Sequence, residues 1–498
     1  MNVKADEAIL AGRLAPPVKS LKLKSDKFFK LSDGCKFSIV CPEEGAAELV
    51  ASCAKQFWCV AAKVAVAEGD CPEAVEGYSI KIAASTVKIA AKTLQGVRYA
   101  MFTLRQLAES ERGVAKSDAG GILPCVHIDD EPDCAFRGIH FCFFPPPETE
   151  YFEIEREIRL AAYYKFNYVV LEPWGSLRYP SHPEFSFPGH SLAPGEWRRL
   201  VKLAKDLGVT PIPQLNIFGH AAAARSVTGK HALLDFHPEF APLFEPDGWC
   251  WCLSNPETRT FLDDLVGDLL DIFENPPFFH LGCDEADAAG SCALCRHADY
   301  AALLTDHLLH FGALLKKRGA RPMVWHDMFV QRGEERWKGY VANGTPDTIA
   351  ILDKLPKDFV ICDWRYNYRG DDLNGVEPTW ATLRHFIDKG FDTLGCPWFE
   401  ARNTKGFGKA IEKYNAFGML ETTWHYNRGY HMFEEFFIAG WAAWNPNSEA
   451  PNSRLAAGHP SFNAHVRQIN HDMGATTYEE FGEYPYQVHG PFYHEPGC

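Results

Sequence analysis

Between about residues 134 and 445, short apolar runs alternate with longer amphipathic segments. The apolar runs have the length and composition of strands buried in a parallel sheet. They predict eight strands, at Phe136–Phe141, Tyr168–Glu172, Val209–Leu215, Phe278–Gly282, Pro322–His326, Phe359–Trp364, Thr393–Pro397 and Met419–Trp424. The segments between most of the runs have apolar residues at helical spacing. They predict helices, for example at Tyr151–Tyr164, Glu196–Leu207, Pro256–Phe273, Asp299–Arg318, Thr379–Lys389 and Met432–Trp444.

Eight such units favour an α/β fold of the (β/α)8 TIM barrel type, in which parallel strands form a ring inside a layer of helices. An open doubly wound sheet is the main alternative, and it usually has a glycine-rich phosphate loop after its first strand. Here the first strand is followed by FPPPETE, which offers no such backbone cradle. The pattern therefore favours the barrel.

The pattern before the barrel is different, with short strands mixed with two helices. It predicts strands at Lys36–Val40, Tyr78–Ala83 and Thr86–Ala91, and helices at Ala46–Phe57 and Gly96–Glu109. Such a mixture is typical of a small α+β domain. Residues 111–130 are polar and glycine-rich and then extended, which predicts a linker. We therefore expect an α+β domain over residues 1–125, a catalytic barrel over 126–445, and an extension over 446–498 that packs on the barrel.

Composition and charge narrow the function. Of the 498 residues, 46% are hydrophobic, which is enough for a large buried core. The net charge of −15 disfavours nucleic acid and anionic membranes as partners. A neutral ligand such as a sugar fits better, and the 13 Trp and 18 Tyr suit it because sugar rings pack on aromatic faces. We expect no cofactor, and the pattern leaves the oligomeric state open.

The N-terminus and the cysteines indicate an intracellular location. The first residues contain no apolar run long enough for a signal peptide, and no run of about 18 apolar residues could span a membrane. The 16 Cys are scattered, as is usual for reduced, buried thiols, so we expect a cytoplasmic protein. Two close pairs, Cys250 with Cys252 and Cys292 with Cys295, leave a structural zinc site of four thiolates open as an alternative.

Candidate catalytic groups follow the predicted strands, where the active site of a barrel forms. The pair Asp284-Glu285 comes directly after the apolar run FFHLGC. Two adjacent carboxyls that share a partly dry cavity repel each other as anions, which raises the pKa of one of them. A carboxyl that stays protonated near neutral pH can act as the general acid of a glycosidase. Most other strand ends carry a Trp, a His or a carboxylate.

These residues resemble glycoside hydrolase family 20, the β-N-acetylhexosaminidases. The segment HLGCDE (His280–Glu285) is similar to the family signature H-x-G-[GC]-D-E, and PQLNIFGH (Pro213–His220) is similar to its strand-three segment. Arg137 resembles the arginine of the family's first strand. Upstream, residues 76–82 and 93–107 resemble the small domain that precedes many barrels of this family. The likeness covers residues from about 20 to 445.

The resemblance implies an exo-acting, retaining enzyme that releases a terminal β-linked GalNAc or GlcNAc. Glu285 would be the general acid and then the base, and Asp284 would orient the substrate's 2-acetamido group. The acetamido oxygen would be the nucleophile, giving an oxazoline intermediate by substrate-assisted catalysis. No metal is implied. The substrate-binding candidates are Arg137, Glu172, His220, His280, Trp325, Trp364, Tyr366, Trp398, Asn403 and Trp424.

Within the family, the chain most resembles the hexosaminidase D type. The likeness consists of the Cys in HLGCDE, the run VWHDM (Val324–Met328) and the Phe before Gly219-His220. It implies a preference for N-acetylgalactosaminides. The chain departs from the family's pattern after strand two, where it reads LEPWG, and after strand seven, where CPWFEARN lacks a Tyr that would bond the acetamido oxygen. Tyr366 or Asn403 could replace it.

Two other functions stay open at this point. One is a sugar-binding barrel without catalytic activity, since a fold does not determine a function. The other is a metal-dependent barrel hydrolase whose ligands come from strand ends, namely His220, His280, Asp284, His326 and Asp327.

Overall fold

The structure is a computed structural model that describes residues 7–108, 120–142, 151–189, 191–221, 233–367, 379–424 and 430–448, with 465, 468–469 and 472–473. The chain forms two compact units. The first contains residues 1–135, 163–165 and 429–498, and the second contains residues 136–162 and 166–428. Among the residues described, no helix is both long and apolar enough to cross a membrane.

The first unit contains a six-stranded mixed sheet. Its strands are β1 (Ser20–Leu31), β2 (Lys36–Val40), β3 (Lys63–Val66), β4 (Tyr78–Ala83), β5 (Thr86–Ala91) and β6 (Gly121–Asp130). Their order across the sheet is β1-β6-β4-β5-β2-β3. The helices of this unit are α1 (Glu7–Ala11), α2 (Ala46–Trp58), α3 (Leu94–Leu107) and, late in the chain, α11 (Tyr430–Trp444). The α+β architecture expected from the sequence is confirmed.

The predicted linker over residues 111–130 is wrong for its second half. Residues 121–130 form β6, which pairs with both β1 and β4 and so lies inside the sheet. Buried and exposed residues do not alternate cleanly along β6, because residues 123–126 are all buried. Residues 111–119 lie outside the described part of the chain. The predicted domain limits at 125 and 445 stay predictions.

The second unit is an eight-stranded parallel sheet. Its strands are β7 (Phe136–Cys142), β8 (Tyr168–Glu172), β9 (Thr210–Pro213), β10 (Phe278–His280), β11 (Arg321–Trp325), β12 (Val360–Trp364), β13 (Asp392–Cys396) and β14 (Gly418–Thr423). The helices are α4 (Tyr151–Tyr163), α5 (Pro194–Asp206), α6 (Pro256–Ile272), α7 (Tyr300–Lys317), α8 (Pro346–Ile349), α9 (Ala381–Asp388) and α10 (Ala401–Tyr414). Both ends of all eight strands agree with the sequence prediction to within two residues.

The sheet closes into a barrel. Neighbouring strands pair in parallel from β10 through β14 to β7, β8 and β9. The remaining gap is closed by a parallel bridge between Gln214 and His280, where the Leu215 amide donates to the His280 carbonyl oxygen over 3.0 Å. The interior is filled by buried side chains that include Phe136, Val170, Ile212, Met323 and Leu420. The (β/α)8 fold is therefore confirmed, and the open-sheet alternative is excluded.

Candidate active site

Asp284 and Glu285 follow β10 on a segment of unusual backbone conformation. Gly282 has φ +69°, Cys283 has φ +79° and Glu285 has φ +47°, all in the left-handed region. Non-glycine residues pay about 1 kcal/mol or more for this conformation, so the surrounding structure must impose it. At Gly282 a Cβ would come within 2.0 Å of the Asn216 side-chain oxygen. The segment therefore turns sharply off the strand and holds both carboxyls at its end.

The loop after β9 packs tightly against this segment. A Cβ on Gly219 would lie 2.0 Å from the Asp284 carbonyl oxygen, so only glycine permits the approach. The approach places the neighbouring His220 between the two carboxyls. Its Nε2 lies 3.4 Å from Oδ2 of Asp284 and 3.2 Å from Oε2 of Glu285. One ring nitrogen thus contacts both candidate catalytic carboxyls.

The two carboxyls differ in their exposure. The Asp284 side chain is 8% exposed and the Glu285 side chain is 43% exposed. Oδ1 of Asp284 is buried and has no hydrogen-bond partner among the described residues. Asp284 is therefore an inner group with an open bonding position, whereas Glu285 reaches toward solvent.

These surroundings separate the pKa values of the three groups. Burial raises the pKa of Asp284 to about 8, with further contributions from the charges of Asp327 and Glu285. Burial would lower the pKa of His220, but the adjacent carboxylates raise it to about 9. The hydrogen bond from His220 lowers the pKa of Glu285. Near neutral pH the arrangement favours an imidazolium, a protonated Asp284 and an ionised Glu285.

The sequence predicts a raised pKa for one carboxyl of this pair, and the burial of Asp284 raises its pKa. The resemblance assigned the role of general acid to Glu285, which stays a prediction; the pKa of Glu285 is lowered and that of Asp284 is raised. The reason is physical: Glu285 is partly solvated and bonded to a cation, while Asp284 is buried among like charges. Sequence spacing contains no information on which of two adjacent carboxyls is the buried one.

Asp327, directly after β11, holds the backbone of Glu285. Its Oδ2 accepts from the Glu285 amide over 3.0 Å and from Nδ2 of Asn343 over 2.9 Å. Its Oδ1 accepts from Nε1 of Trp364 over 3.2 Å. From the sequence, Asp327 was named within the VWHDM run and as an alternative metal ligand, and Asn343 was not identified. No strand-end pattern identifies Asn343, because it lies in the loop before α8.

Trp249 is a second residue that the sequence had missed. Its Nε1 donates to the carbonyl oxygen of Glu285 over 2.7 Å, and its ring lies 4.3 Å from the ring of His220. The Glu285 backbone is therefore held on both sides, by Asp327 at its amide and by Trp249 at its carbonyl.

Glu172, at the end of β8, is completely buried and has protein partners on both oxygens. Oε1 accepts from Nδ2 of Asn216 over 2.6 Å, and Oε2 lies 3.1 Å from Nε2 of His140. Its charge contributes to the raised pKa of both His220 and Asp284. Glu172 thus belongs to the electrostatic surroundings of the pair.

Aromatic residues from the ends of β11, β12, β13 and β14 form a continuous wall. Trp364 and Tyr366 stack with ring centres 5.0 Å apart, and Trp398 meets Tyr366 edge-on at 5.2 Å. Nε1 of Trp424 donates to the Tyr366 hydroxyl over 2.7 Å. Trp325 lies 5.9 Å from Trp424 by ring centres. Such faces suit the C–H surface of a sugar ring.

Several buried polar atoms beside this wall have no hydrogen-bond partner among the described residues. They are Nε2 of His280, Nδ1 of His140 and Nε1 of Trp325. The rings of His280 and His140 lie 4.3 and 5.7 Å from that of Trp325. The other nitrogen of His280 accepts from the Gly282 amide, so Nε2 is the donor. Buried polar atoms without partners mark a place for a ligand or water.

The two remaining substrate-binding candidates lie on elements around the same barrel. Arg137 is on β7 and is 1% exposed. Asn403 is on α10, a helix that was not among the predicted ones, and its amide donates to the Arg365 carbonyl oxygen. Oδ1 of Asn403 has no partner among the described residues.

The metal-dependent hydrolase is not favoured by the geometry. Within the described residues, the strand-end His and Asp do not bring three ligand atoms to one point, and the single group that does so is elsewhere. That group contains Glu245, Cys252, Cys292 and Cys295. It differs from the four-cysteine set considered from the sequence, because Glu245 replaces Cys250.

Comparison with known proteins agrees with this architecture. Residues 167–376 match the glycosyl hydrolase family 20 catalytic domain, and residues 13–131 match domain 2 of that family. A β-hexosaminidase of Porphyromonas gingivalis is 24% identical over 290 residues, which is 51% of this chain and 36% of that protein. A β-N-acetylhexosaminidase of Cellulomonas fimi is 26% identical over 257 residues, 47% of this chain and 48% of that protein. The matches thus span less than half of either relative.

Solved structures show the same fold. A β-N-acetylhexosaminidase of Bacteroides fragilis superposes with a TM-score of 0.67 and 16% identity, covering 92% of this chain and 96% of that one. An exo β-N-acetylglucosaminidase of Vibrio harveyi, in complex with N-acetylglucosamine, gives a TM-score of 0.66 and 16% identity, covering 94% and 78%. These matches show that the chain contains a glycosyl hydrolase family 20 catalytic domain preceded by domain 2 of that family.

Proposed function

We propose that this protein is an exo-acting, retaining β-N-acetylhexosaminidase that releases terminal β-linked GalNAc or GlcNAc. The observation that carries the proposal is the cluster of Asp284 and Glu285 after β10 with His220 from the loop after β9, beside an aromatic wall. The names of the curated relatives, β-hexosaminidase and β-N-acetylhexosaminidase, support it. A mere sugar-binding barrel would gain nothing from burying a carboxyl among like charges, which costs free energy.

In the proposed mechanism Asp284 binds the substrate's acetamido group. Its buried Oδ1 has an open bonding position that can accept the acetamido N–H. The acetamido oxygen then attacks the anomeric carbon, and the bond to the leaving oxygen breaks. The oxazolinium that forms is positively charged, and an ionised Asp284 stabilises that charge. This chemistry does not require a second enzyme carboxylate as the nucleophile.

Glu285 acts on the leaving group and then on water. Its side chain is 43% exposed, so a leaving group and water can both reach it. As an acid it protonates the leaving oxygen, and as a base it deprotonates the water that opens the oxazoline. Asp327 and Trp249 hold its backbone, so the carboxyl is preorganised for both steps.

The proton distribution must change when substrate binds. Without substrate, the arrangement favours a proton on Asp284 and none on Glu285. An acetamido N–H bonded to Asp284 favours its ionised form. We propose that His220 then donates its Nε2 proton to Glu285 and receives the proton of Asp284. One proton moves from Asp284 to Glu285, and the imidazolium is restored.

The preference for N-acetylgalactosaminides is the finer part of the proposal. It rests on the resemblance to the hexosaminidase D type, including the completely buried Cys283 of the signature.

A reducing, cytoplasmic compartment fits the cysteines, because all those that the structure describes are free thiols.

The direct test is hydrolysis of p-nitrophenyl β-glycosides of GalNAc, GlcNAc, their 6-sulfated forms and galactose. We expect cleavage of both N-acetylhexosaminides, faster for GalNAc, and a rate for the galactoside lower by orders of magnitude. Glu285→Gln should reduce turnover by about 10² or more for poor leaving groups. The matched control is Asp287→Asn, which removes an exposed carboxylate two residues away that pairs with Arg332. Equal rates for galactoside and N-acetylgalactosaminide would refute the proposal.

A further inference from the structure

Three thiols and one carboxylate meet beside the catalytic loop. Sγ of Cys252 lies 3.5 Å from Sγ of Cys292 and 3.6 Å from Sγ of Cys295. A carboxylate oxygen of Glu245 completes the set, with all four atoms within 4.8 Å of one another. Three of these residues are buried and Cys292 is half-buried. The residues come from two segments that are about 40 positions apart in the chain.

The sulfur distances fit a tetrahedral metal site. Thiolates bind Zn²⁺ at about 2.3 Å, so two ligands of a regular tetrahedron lie about 3.8 Å apart. The observed 3.5 and 3.6 Å are close to this value. A disulfide requires about 2.05 Å between the two sulfurs, so none of the three cysteines is bonded to another. The spacing is that of ligands around a shared centre.

Neighbouring groups hold the side chains of Glu245 and Cys292 in place. The Cys292 amide donates to the Glu245 carboxylate over 2.5 Å, and the Ser291 hydroxyl donates to it over 3.2 Å. The Cys295 amide donates to Sγ of Cys292 over 3.2 Å. An amide donor stabilises negative charge on sulfur, as a thiolate ligand requires. Such supporting bonds orient the ligands of metal sites.

We propose that Cys252, Cys292, Cys295 and Glu245 bind one Zn²⁺ ion. Zinc accepts both thiolate and carboxylate ligands in a tetrahedral arrangement. Binding converts three thiols to thiolates and releases three protons to solvent. With four protein ligands the site is closed, so the ion has a structural role. The chemistry at Asp284 and Glu285 does not involve it.

The site would fasten the two segments that surround the general acid. The segment from Glu245 to Cys252 carries Trp249, which bonds the Glu285 carbonyl oxygen. The segment after Glu285 carries Cys292 and Cys295. An ion that joins these segments therefore fixes Trp249 against Glu285.

Metal analysis of the full chain tests the proposal without relying on activity. Protein produced in zinc-containing medium and purified without chelator should contain about one zinc per chain by mass spectrometry of the native protein. Replacement by Co²⁺ should give the charge-transfer absorption of cobalt–thiolate bonds. This second measurement uses the unchanged chain, so it does not depend on how variants fold.

Variants identify the ligands. Cys295→Ser and Glu245→Gln should each weaken zinc binding at least tenfold. Cys250→Ser is the matched control, because Cys250 is equally buried on the same segment but is not in the cluster. It should keep one zinc per chain. Less than a tenth of an equivalent in the unchanged chain would overturn the proposal, as would an intact mass showing a disulfide. If Cys250→Ser lost as much zinc as Cys295→Ser, Glu245 would not be the fourth ligand, and the site would instead consist of the four thiolates of Cys250, Cys252, Cys292 and Cys295.

Discussion

Replacement of Asp327 by Asn tests how Glu285 is held. All three of its partners are donors: the Glu285 amide, Nδ2 of Asn343 and Nε1 of Trp364. An Asn side chain has one acceptor oxygen and one donor NH₂. It will keep its oxygen toward the two donors at Oδ2, and its NH₂ will then face Trp364. The substitution thus removes the hydrogen bond from Nε1 of Trp364, and it leaves two donors, this N–H and the new NH₂ group, facing each other.

The magnitude follows from that geometry. Loss of a buried hydrogen bond to a charged group, with the donor left unsatisfied, costs about 2–3 kcal/mol. The stability lost in Asp327→Asn should depend on Trp364, because Trp364→Phe removes the Nε1 donor that would face the new NH₂ group. In a double-mutant cycle we expect Asp327→Asn to cost about 2 kcal/mol in the unchanged chain and less than about 1 kcal/mol in the Trp364→Phe background.

The assay is urea unfolding followed by tryptophan fluorescence for the unchanged chain, both single variants and the double variant. Turnover gives a second measure. Asp327→Asn retains the bond to the Glu285 amide and should lose less than about tenfold in kcat, whereas Asp327→Ala should lose at least tenfold more. Additive effects of Asp327→Asn and Trp364→Phe, within about 0.5 kcal/mol, would refute the hydrogen-bond arrangement.

Three further outcomes follow from the same site. Because the pKa of Asp284 is raised from 3.8 to about 8 and that of His220 from 6.5 to about 9, the folded state holds these protons more tightly than the unfolded state, so their contribution to stability should decline as pH rises from about 4 to 8 for Asp284 and from about 6.5 to 9 for His220, while kcat/KM should decline between about pH 8 and 9; a kcat/KM profile that is flat from about pH 7 to 10 would contradict the pKa values. Trp249→Phe keeps the ring contact but loses the bond to the Glu285 carbonyl, and steady-state kinetics should show kcat reduced about fivefold with KM little changed. Gly282→Ala should destabilise by more than about 3 kcal/mol in thermal unfolding, since its Cβ has no room and its φ is +69°; a normal melting temperature would show that the segment can relax.

The barrel was predictable because its strands are buried on both faces and therefore appear as continuous apolar runs. The strands that the sequence missed lie where that pattern fails. In β1, SLKLKSDKFFKL, most residues are exposed or half-buried, and β3 contains no buried residue. β6 was obscured by the glycine-rich segment before it and by Pro124 within it, which pairs opposite an irregularity in β1.

The sequence was sufficient to predict which strand ends contribute residues to the candidate site. It was not predictable which carboxyl would be buried, since that depends on the close approach of Gly219 to the Asp284 backbone. Trp249 and Asn343 lie in loops, where no hydrophobic periodicity indicates which way a side chain points. For the same reason the cysteine spacing pointed to Cys250, whereas the fold brings Glu245 to the other three cysteines.

The central claim is that the substrate's own acetamido oxygen is the nucleophile. It is tested most directly by kcat/KM for p-nitrophenyl β-N-acetylgalactosaminides in which the acetyl methyl carries none, one, two or three fluorines. Each fluorine withdraws electrons and weakens the carbonyl oxygen as a nucleophile, while the leaving group stays the same. The account predicts a steep decrease in kcat/KM with each added fluorine. Rates that are independent of fluorination would contradict it.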